Sequence, residues 1–486
     1  MQQTGARCLS RREWLVLAGA GASAAAMSCV TGSRGRTQKD VYRRFTEAFR
    51  APPVLQPTTA DADTDYFDLV EEARDIQLTP GALTRIWGYN GLFPGPTISV
   101  TRNRRAVLRV HNALSAHTAV HLHGGNTDSA SDGFPTDMIE PGVHREYAYA
   151  NRSRAATLWY HDHAMDHTGR NVYMGLAGLY LIRDANEAAL RLPAGQNELP
   201  MILQQRRVTP GGELAYHEGD RIGVGGDITL VNGVPWPLMQ VAARKYRLRI
   251  LNASNATSYL VRLSSGQPLI LLGTDGGLLA APIECAQVPI AMGERADVIV
   301  DFSTLPVGSS VDFVNAANAD EPESIMRCNV VRRERDDSEV PSRLSTIDVL
   351  APQHTARTRV FAFGGKLSRA FPPVSWAING ETFDPDRPIA TVRSGESEIW
   401  TFENHGIGPL GMLHPVHVHL SPFQVLRRNG GPPLPHEGGW KDTVALARGE
   451  RVDVIVRFDG FRGRYLMHCH NLEHEDHAMM ARFDVL

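Results

Sequence analysis

The sequence predicts an all-β protein made of β-sandwich domains. From about residue 61 onward, short runs alternate apolar and polar residues and are separated by Gly, Pro, Asn and Asp, as residues 106–110 and 298–302 illustrate. This period of two is typical of half-buried strands, and long amphipathic helices are scarce. A chain of 486 residues fits about three domains of average size. Many short strands with turn signals therefore favour several β-sandwiches in series.

A faint internal repeat supports three related units. Strand-like segments that end in Asn112, Asn252 and Asn404 lie at similar places early in each third of the chain. The stretch at 184–199 would link the first unit to the second, and the charged and polar stretch at 332–345 would link the second to the third. We therefore expect domains at residues 64–185, 198–335 and 346–486.

The N-terminal residues 1–29 are predicted to direct export. Residues 10–15 carry a twin arginine, and an alanine-rich apolar stretch follows, which is typical of a twin-arginine export signal. The alternative is a mobile tail with a chance Arg-Arg pair. Residues 26–29 resemble a lipoprotein cleavage box but have alanine where leucine is usual. A lipid anchor on Cys29 and an unmodified Cys29 are therefore both consistent with the sequence.

Residues 30–63 are predicted to form a flexible leader, with a helix at 40–49 before a proline-rich segment. The net charge of −3 gives no reason to expect nucleic acid or an anionic membrane as a partner. No internal run is long and apolar enough to span a bilayer. A disulfide between Cys285 and Cys328 and two buried free thiols are equally consistent with an exported chain.

The C-terminal segment around Cys469 contains the residue types of a copper site. Cys469 lies between His468 and His470, His474 follows at five residues and Met479 at ten. One thiolate, histidines and a late methionine are the ligands of a blue-copper site. Because neighbouring side chains of a strand point to opposite faces, Cys469 would face one metal and the flanking histidines another.

Further histidines recur at a spacing of two residues. On a strand this spacing places both rings on the same face, as two ligands of one cluster require. Neutral imidazole suits copper well. Among the nineteen histidines in the chain, this spacing joins His121 to His123, His161 to His163 and His417 to His419, and His414 lies three residues before His417.

These motifs, in this order, resemble those of the multicopper oxidases. Residues 160–165 (Tyr-His-Asp-His-Ala-Met), 439–443 (Gly-Trp-Lys-Asp-Thr) and 472–476 (Leu-Glu-His-Glu-Asp) resemble in particular the branch that holds bacterial spore-coat laccases and bilirubin oxidases. The resemblance covers most of the chain from about residue 64 and is loose in the middle unit. It implies three cupredoxin-like Greek-key β-sandwich domains, with a trinuclear copper cluster between the first and the third.

The resemblance also implies four copper ions and the residues that bind them. A reducing substrate would give single electrons to a type 1 copper, and dioxygen would be reduced to water at the type 2 and type 3 coppers. The type 1 ligands would be His414, Cys469, His474 and Met479. The type 2 ligands would be His121 and His417. The type 3 ligands would be His123, His161, His163, His419, His468 and His470.

Electrons would enter through a solvent-near edge of His414 or His474 and then run from Cys469 through the backbone. Carboxylates are the natural proton shuttles for dioxygen reduction, and Asp132 and Glu473 resemble family positions for this role. The alternative for each is a solvated or capping carboxylate. Asp162 should face away from the cluster, so a structural role is expected for it. An axial methionine should lower the type 1 potential and favour phenols, aminophenols or bilirubin-type tetrapyrroles.

Two other functions are consistent with the motifs. One is a cuprous or other metal-ion oxidase for copper tolerance, although the thirteen methionines form no dense cluster. The other is a non-catalytic exported scaffold, which the complete ligand set disfavours. We expect a monomer in the periplasm, cell envelope or extracellular space. Its partners would be the twin-arginine export machinery, a small reducing substrate and dioxygen.

Overall fold

The chain forms three β-sandwiches in series, so the predicted all-β class is confirmed. A computed structural model describes residues 42–351, 356–367, 374–407 and 411–486. The predicted signal region 1–29, with Cys29, lies outside the described residues.

The first sandwich is built from strands β1 to β10. These are β1 (Val54–Leu55), β2 (Thr59–Ala60), β3 (Thr64–Thr79), β4 (Ala82–Tyr89), β5 (Thr97–Thr101), β6 (Arg105–Asn112), β7 (Val120–His123), β8 (His144–Tyr149), β9 (Ala156–Asp162) and β10 (Ala177–Arg183). One sheet has the order β1-β5-β10-β9-β7, and the other β2-β3-β6-β8 with β4 beside β3. Helix α1 (Thr168–Met174) lies between β9 and β10.

The second sandwich follows a short helix, α2 (Ala185–Ala188). Its strands are β11 (Glu198–Arg206), β12 (Ile228–Val231), β13 (Val234–Pro235), β14 (Leu238–Ala243), β15 (Lys245–Asn252), β16 (Tyr259–Leu263), β17 (Leu269–Thr274), β18 (Gly277–Cys285), β19 (Val288–Ile290), β20 (Arg295–Asp301), β21 (Ser310–Asn315) and β22 (Glu323–Arg333). The sheets have the orders β13-β12-β11-β15-β20-β17-β18 and β14-β22-β21-β16-β19.

The third sandwich contains β23 (Thr358–Leu367), β24 (Val374–Ile378), β25 (Pro388–Val392), β26 (Ser397–Gly406), β27 (His414–Val418), β28 (Phe423–Arg428), β29 (Thr443–Leu446), β30 (Arg451–Arg457), β31 (Gly463–Cys469) and β32 (Met480–Val485). Its sheets have the orders β24-β23-β26-β30-β28 and β25-β32-β31-β27-β29. Helix α3 (Leu472–Asp476) connects β31 to the last strand. Among the described residues, no helix is long and apolar enough to cross a membrane.

Each sandwich has its own apolar core between its two sheets. The core of the third contains Cys469 and Met479, both fully buried. The core of the second contains Cys285 and Cys328. Because Cys328 is a free thiol, the disulfide that the sequence allowed between these two residues is not formed.

The three asparagines of the internal repeat have the same structural role in each domain. The Oδ1 atoms of Asn112, Asn252 and Asn404 accept hydrogen bonds of 2.9, 3.0 and 2.8 Å from the backbone N–H two residues later. Each Nδ2 donates to two further backbone carbonyls. The asparagine therefore closes the loop that follows its strand, which explains why a weak sequence signal recurs three times.

The described part of the predicted leader is attached to the first two domains. Strand β1 pairs with β5 and β2 pairs with β3. The predicted helix at 40–49 is wrong over its described residues, 42–49, which form turns and a bridge to Leu238. The backbone N–H groups of Phe45 and Phe49 donate to carbonyls of the second domain. Tertiary hydrogen bonds thus replace those of a helix.

Candidate metal centres

Strand pairing in the third domain places histidines on one side of a sheet and the cysteine on the other. β27 runs antiparallel to β31, with His417 opposite His468 and Val416 opposite Cys469. Because directly opposed residues share a face, His417 and His468 project together. Cys469 projects to the other face, where His414 is its partner.

The first domain contributes its histidines in the same way. β7 runs antiparallel to β9, with His121 opposite His161. His123 lies two residues after His121, and His163 lies two residues after His161. Because side chains alternate along a strand, each points to the same side as the histidine before it. The backbone N–H of His163 donates to Ala119 at 2.9 Å, which holds the end of β9 beside β7. All four imidazoles are buried.

The cysteine side forms a compact three-residue group. Cys469 Sγ lies 3.4 Å from His414 Nδ1 and 3.5 Å from His474 Nδ1, and the two nitrogens are 3.2 Å apart. Helix α3 brings His474 back to the cysteine, because Asn471 caps its N-terminus. The Asn471 N–H also donates to Cys469 Sγ at 3.5 Å. One thiolate and two imidazoles in contact are the equatorial donors of a blue-copper site.

Met479 is fixed next to this group by its backbone. Its N–H donates to the His474 carbonyl at 2.9 Å, and its carbonyl accepts from the Cys469 N–H at 3.0 Å. Its side chain lies in the same core cluster as Cys469 and is fully buried. The predicted axial residue is therefore held beside both of its predicted partners.

The surroundings of His474 differ from the expectation of a solvent-near edge. His474 is fully buried, and its Nε2 lies 3.0 Å from the carbonyl oxygen of Ile222 in the second domain. The Trp376 ring packs on His474 with centroids 3.9 Å apart, and its Nε1–H donates to the Arg221 carbonyl at 2.6 Å. A loop of the second domain therefore covers the histidine edge at which a substrate was expected. His414 is fully buried as well.

The histidine side forms a larger cluster between the first and third domains. His121 Nε2 lies 3.4 Å from His417 Nε2. His468 Nε2 lies 3.4 Å from His163 Nε2 and 3.2 Å from His419 Nε2. These contacts define two groups. His121 and His417 form the first, and His163, His419 and His468 form the second.

A second three-histidine group completes the cluster. His123 Nδ1 lies 3.2 Å from His470 Nε2. Ligand atoms of His161 lie within 4.8 Å of those of His121 and His123. His161 Nδ1 is 2.8 Å from the Asp162 carbonyl, so its Nε2 is left facing the other histidines. That Nε2 is buried and has no hydrogen-bond partner among the described residues, as expected of a metal ligand.

The electrostatics of both groups of side chains suit metal cations. Burial lowers the pKa of His414 to about 3 and that of His163 to about 4. Burial likewise holds the pKa values of His121 and His417 well below the usual range. The imidazoles are therefore neutral, which is the form that binds metal. Burial raises the pKa of the Cys469 thiol, so a metal would have to displace its proton.

Comparison with known proteins agrees with this donor set. Family models described as multicopper oxidase match residues 72–187, 194–324 and 346–486.

The chain belongs to the multicopper oxidase family.

It is 34% identical to a laccase of Bacillus subtilis over 91% of this chain and 98% of that protein. It is 37% identical to a bilirubin oxidase of Albifimbria verrucaria over 91% of this chain and 81% of that protein. A crystal structure of a laccase from Pediococcus acidilactici superposes with a TM-score of 0.84 at 30% identity, covering 92% of this chain and 96% of that one. This multicopper oxidase is a laccase-like copper enzyme that uses dioxygen.

One of the two predicted proton-shuttle carboxylates of the oxidase contacts the histidine cluster. Asp132 is fully buried, and its Oδ2 lies 2.7 Å from His419 Nδ1. Its backbone carbonyl lies 2.6 Å from His121 Nδ1. Asp132 therefore touches histidines of both predicted type 2 and type 3 sites. Burial raises its pKa well above the usual range, so it can hold a proton near neutral pH.

The other predicted carboxylate, Glu473, has its described side-chain contacts in the second domain rather than with the histidine cluster. Its carboxylate accepts from the Val224 N–H at 2.9 Å and from Asn255 Nδ2 at 2.8 Å, both in the second domain. Burial raises its pKa to about 7. Its contacts make it a residue that joins helix α3 to the second domain.

Glu475 is the carboxylate that the sequence did not single out. Its Oε2 lies 3.0 Å from His468 Nδ1, and its Oε1 lies 3.5 Å from His163 Nε2. Two residues along helix α3 turn the side chain by about 200°, so Glu473 and Glu475 face different partners. The helical periodicity could have indicated from the sequence that Glu475 and Glu473 face different partners. Applying it requires knowing that a helix begins at Leu472.

Proposed function

We propose that this multicopper oxidase takes single electrons from phenol-, aminophenol- or bilirubin-type substrates and reduces dioxygen to water. The arrangement around Cys469 carries this proposal, because its neighbours in the chain, His468 and His470, belong to a second donor cluster on the opposite face. Relatives named laccase and bilirubin oxidase support the substrate class. Bound copper would supply one-electron redox chemistry at both sites.

We expect these side chains to hold four copper ions in three types of site. His414, Cys469, His474 and Met479 would hold the type 1 copper. His121 and His417 would hold the type 2 copper. The type 3 pair would be held by His123, His161 and His470 on one side and by His163, His419 and His468 on the other, which follows the contacts between the rings.

The chain also supplies a short path between the two sites. Cys469 is bonded through its backbone to His468 and His470, and His468 Nδ1 lies 3.3 Å from the Cys469 carbonyl. An electron that reaches Cys469 therefore has a covalent route to both type 3 groups.

Protons for water formation would pass through Asp132 and Glu475. The two carboxylates contact the cluster from different sides, Asp132 through His419 and Glu475 through His468. A carboxylate in contact with an imidazole can deliver a proton without opening the site to bulk water. Glu473, which contacts the second domain, is not part of this relay.

Electron entry is proposed at His414 rather than at His474. The carbonyl of Ile222 occupies the outer nitrogen of His474. His414 Nε2 is buried but has no hydrogen-bond partner among the described residues, so a donor that reached this edge would meet an unoccupied ring nitrogen. Met412 and Leu413 directly precede His414 and would border such a donor.

Export by the twin-arginine route is proposed from residues 10–15 alone. It would place a monomeric enzyme in the periplasm, the cell envelope or outside the cell, with or without a lipid anchor on Cys29. The disulfide-free Cys328 neither supports nor opposes this location.

Oxygen uptake by the copper-loaded enzyme tests the proposed reaction. The donors to compare are a phenol, an aminophenol, bilirubin, cuprous ion and manganous ion, with Cys469→Ser as the inactive control. We expect the organic donors to be oxidised fastest, with water as the product. Faster turnover of cuprous ion would assign the enzyme to metal-ion oxidation. Complete inactivity together with absence of a blue absorption band would assign it to a scaffold role.

A further inference from the structure

The second domain contributes none of the proposed copper ligands, yet one of its turns forms a wall of the histidine cluster. The turn at residues 291–294 connects β19 to β20, and Glu294 N–H donates to the Ala291 carbonyl at 3.1 Å. Gly293 in this turn has a φ of +81°. A Cβ at this position would lie 2.8 Å from His470 Cδ2 and 3.1 Å from His123 Cε1. The turn therefore approaches two proposed type 3 ligands as closely as a glycine permits.

Arg295 follows this turn and joins all three domains. It is fully buried, and each of its five N–H groups has an acceptor. Its Nε donates to the Thr157 carbonyl of β9 at 2.9 Å, and its two terminal nitrogens donate to the carbonyls of Gly293 and Asp275. The same two nitrogens bind both oxygens of Asp442 in the third domain. A bidentate pair of this kind fixes a carboxylate in orientation as well as position.

Asp442 in turn contacts two histidines of the cluster. Its Oδ1 lies 3.1 Å from His123 Nε2, and its backbone carbonyl lies 2.8 Å from His417 Nδ1. Asp275 Oδ2 accepts from the Asp442 backbone N–H at 3.4 Å and also lies 2.9 Å from Lys441 Nζ, so it helps to hold this part of the chain in place. These contacts hold the Asp442 carboxylate against His123.

His123 is oriented differently from the histidines around it. The Nδ1 atoms of His121, His161 and His419 bond outward, to Asp132 or Asp162, so their Nε2 atoms face the cluster. His123 instead presents Nδ1 to His470 and turns Nε2 outward to Asp442. A carboxylate that accepts from Nε2–H leaves the lone pair on Nδ1, so Asp442 selects the nitrogen that can bind metal.

We propose that Arg295 and Gly293 of the second domain are positioning residues that fix the Nδ1 orientation of His123 and so complete one half of the type 3 site. This inference rests on the proposed four-copper site. Arg295 acts through Asp442, and Gly293 acts by leaving room for the rings of His123 and His470. The second domain is then a structural part of the dioxygen site, although its side chains do not bind copper.

The decisive comparison is Arg295→Gln against Arg249→Gln in the copper-loaded full chain. Arg249 is the matched control, because it is also buried, also ion-paired and also bonded to Thr157, through Oγ1 at 3.2 Å, yet it contacts no cluster histidine. Bound copper per chain, the blue absorption of the thiolate site, the near-ultraviolet absorption of the coupled type 3 pair and the melting temperature of the copper-free protein are measured for each.

We expect Arg295→Gln to keep the blue absorption and to lose near-ultraviolet absorption, with about 10- to 100-fold weaker retention of type 3 copper. Arg249→Gln should lower the melting temperature and keep both absorptions. The conservative Arg295→Lys should not rescue the signal, because a lysine cannot bind both carboxylate oxygens in a planar fork. Retention of the near-ultraviolet absorption in Arg295→Gln, or its equal loss in both glutamine variants, would overturn the proposal.

Gly293→Ala provides a test that leaves the ion pairs intact. Its added methyl group should displace His470 and His123 and remove the same near-ultraviolet absorption; an unchanged spectrum would contradict the role given to this turn. This variant takes the place of Arg295→Gln if the latter does not fold. A wild-type enzyme without near-ultraviolet absorption would instead refute the four-copper proposal itself, so the two failures are distinguishable.

Discussion

Glu473 and Glu475 are two residues apart in helix α3, and the fold gives them different partners. Glu473 accepts hydrogen bonds from the second domain, whereas Glu475 contacts His468 and His163. Both residues are buried glutamates of the same sequence motif, so the sequence does not distinguish them. The helix sets the direction of each side chain. Glu475 is therefore placed for the proposed proton relay, whereas Glu473 contacts the second domain.

Glu475→Gln should slow dioxygen reduction by about 10²- to 10⁴-fold, because an amide cannot take up a proton and pass it on as a carboxylate does. Electron transfer from the reducing substrate to the type 1 site should be unaffected, so the blue band should bleach normally under anaerobic conditions and recover slowly in air. Stopped-flow absorption measures both steps. Glu473→Gln is the control and should cost about 1 kcal/mol of stability with normal reoxidation. Normal reoxidation in Glu475→Gln would remove it from the relay.

Met479→Leu should raise the reduction potential of the type 1 site, because a thioether donates weakly to the metal and an aliphatic side chain does not. A redox titration of the blue absorption measures the change. Met480→Leu is the matched control, since Met480 is buried against Phe134 and Leu466 in a different cluster. If the potential of Met479→Leu stays at the wild-type value, Met479 is not the axial ligand.

Strands β11, β15 and β20 carry a buried charge cluster at the boundary between the first two domains. Glu198 on β11 lies 2.6 Å from the guanidinium of Arg249, and Arg247 binds Asp297 on β20. Burial alone would raise the pKa of Glu198, but Arg249, Arg183 and Arg247 outweigh it and hold the pKa at about 2.

This cluster predicts acid sensitivity of the fold. The folded pKa of Glu198 is depressed, so its stabilisation is complete above the unfolded pKa of 4.5 and is lost as pH falls toward 2. We expect a loss of about 3 kcal/mol from this residue across that window. Chemical denaturation of the copper-free protein at a series of acidic pH values measures it, with Glu198→Gln for comparison. An equally steep acid dependence in that variant would show that other groups are responsible.

At the scale of the whole molecule, the histidine cluster is an interface between distant parts of the chain. Its side chains come from β7 and β9 in the first domain and from β27 and β31 in the third. The second domain lies between these in sequence and reaches the same interface through Arg295. A ligand bound at this cluster would therefore hold the first and third domains together.

Removal of copper should lower the melting temperature and separate the unfolding of the first and third domains. Ligand that binds only the folded state at about 100 times its dissociation constant stabilises by about 2.7 kcal/mol, and several coppers add to this. Calorimetry of the copper-loaded and chelated protein measures the effect. His414→Ala, which removes a type 1 ligand only, should retain the coupling between the two domains. Copper that stabilised the third domain alone would contradict the shared cluster.

The sequence by itself determined the all-β class, the family and the residue types of both metal centres, because these follow from local patterns. Alternation along a strand separates Cys469 from His468 and His470 whatever the rest of the chain does. The domain boundaries and the ligand assignments stay predictions that the geometry supports.

Only the tertiary structure decided which residues surround those centres. It placed Glu475 against His468, covered His474 with the Ile222 carbonyl and brought Arg295 to His123 through Asp442. It also replaced the expected helix at 40–49 with hydrogen bonds to the second domain. These contacts join residues that are far apart in the chain, and no local periodicity encodes the packing of one sandwich against another.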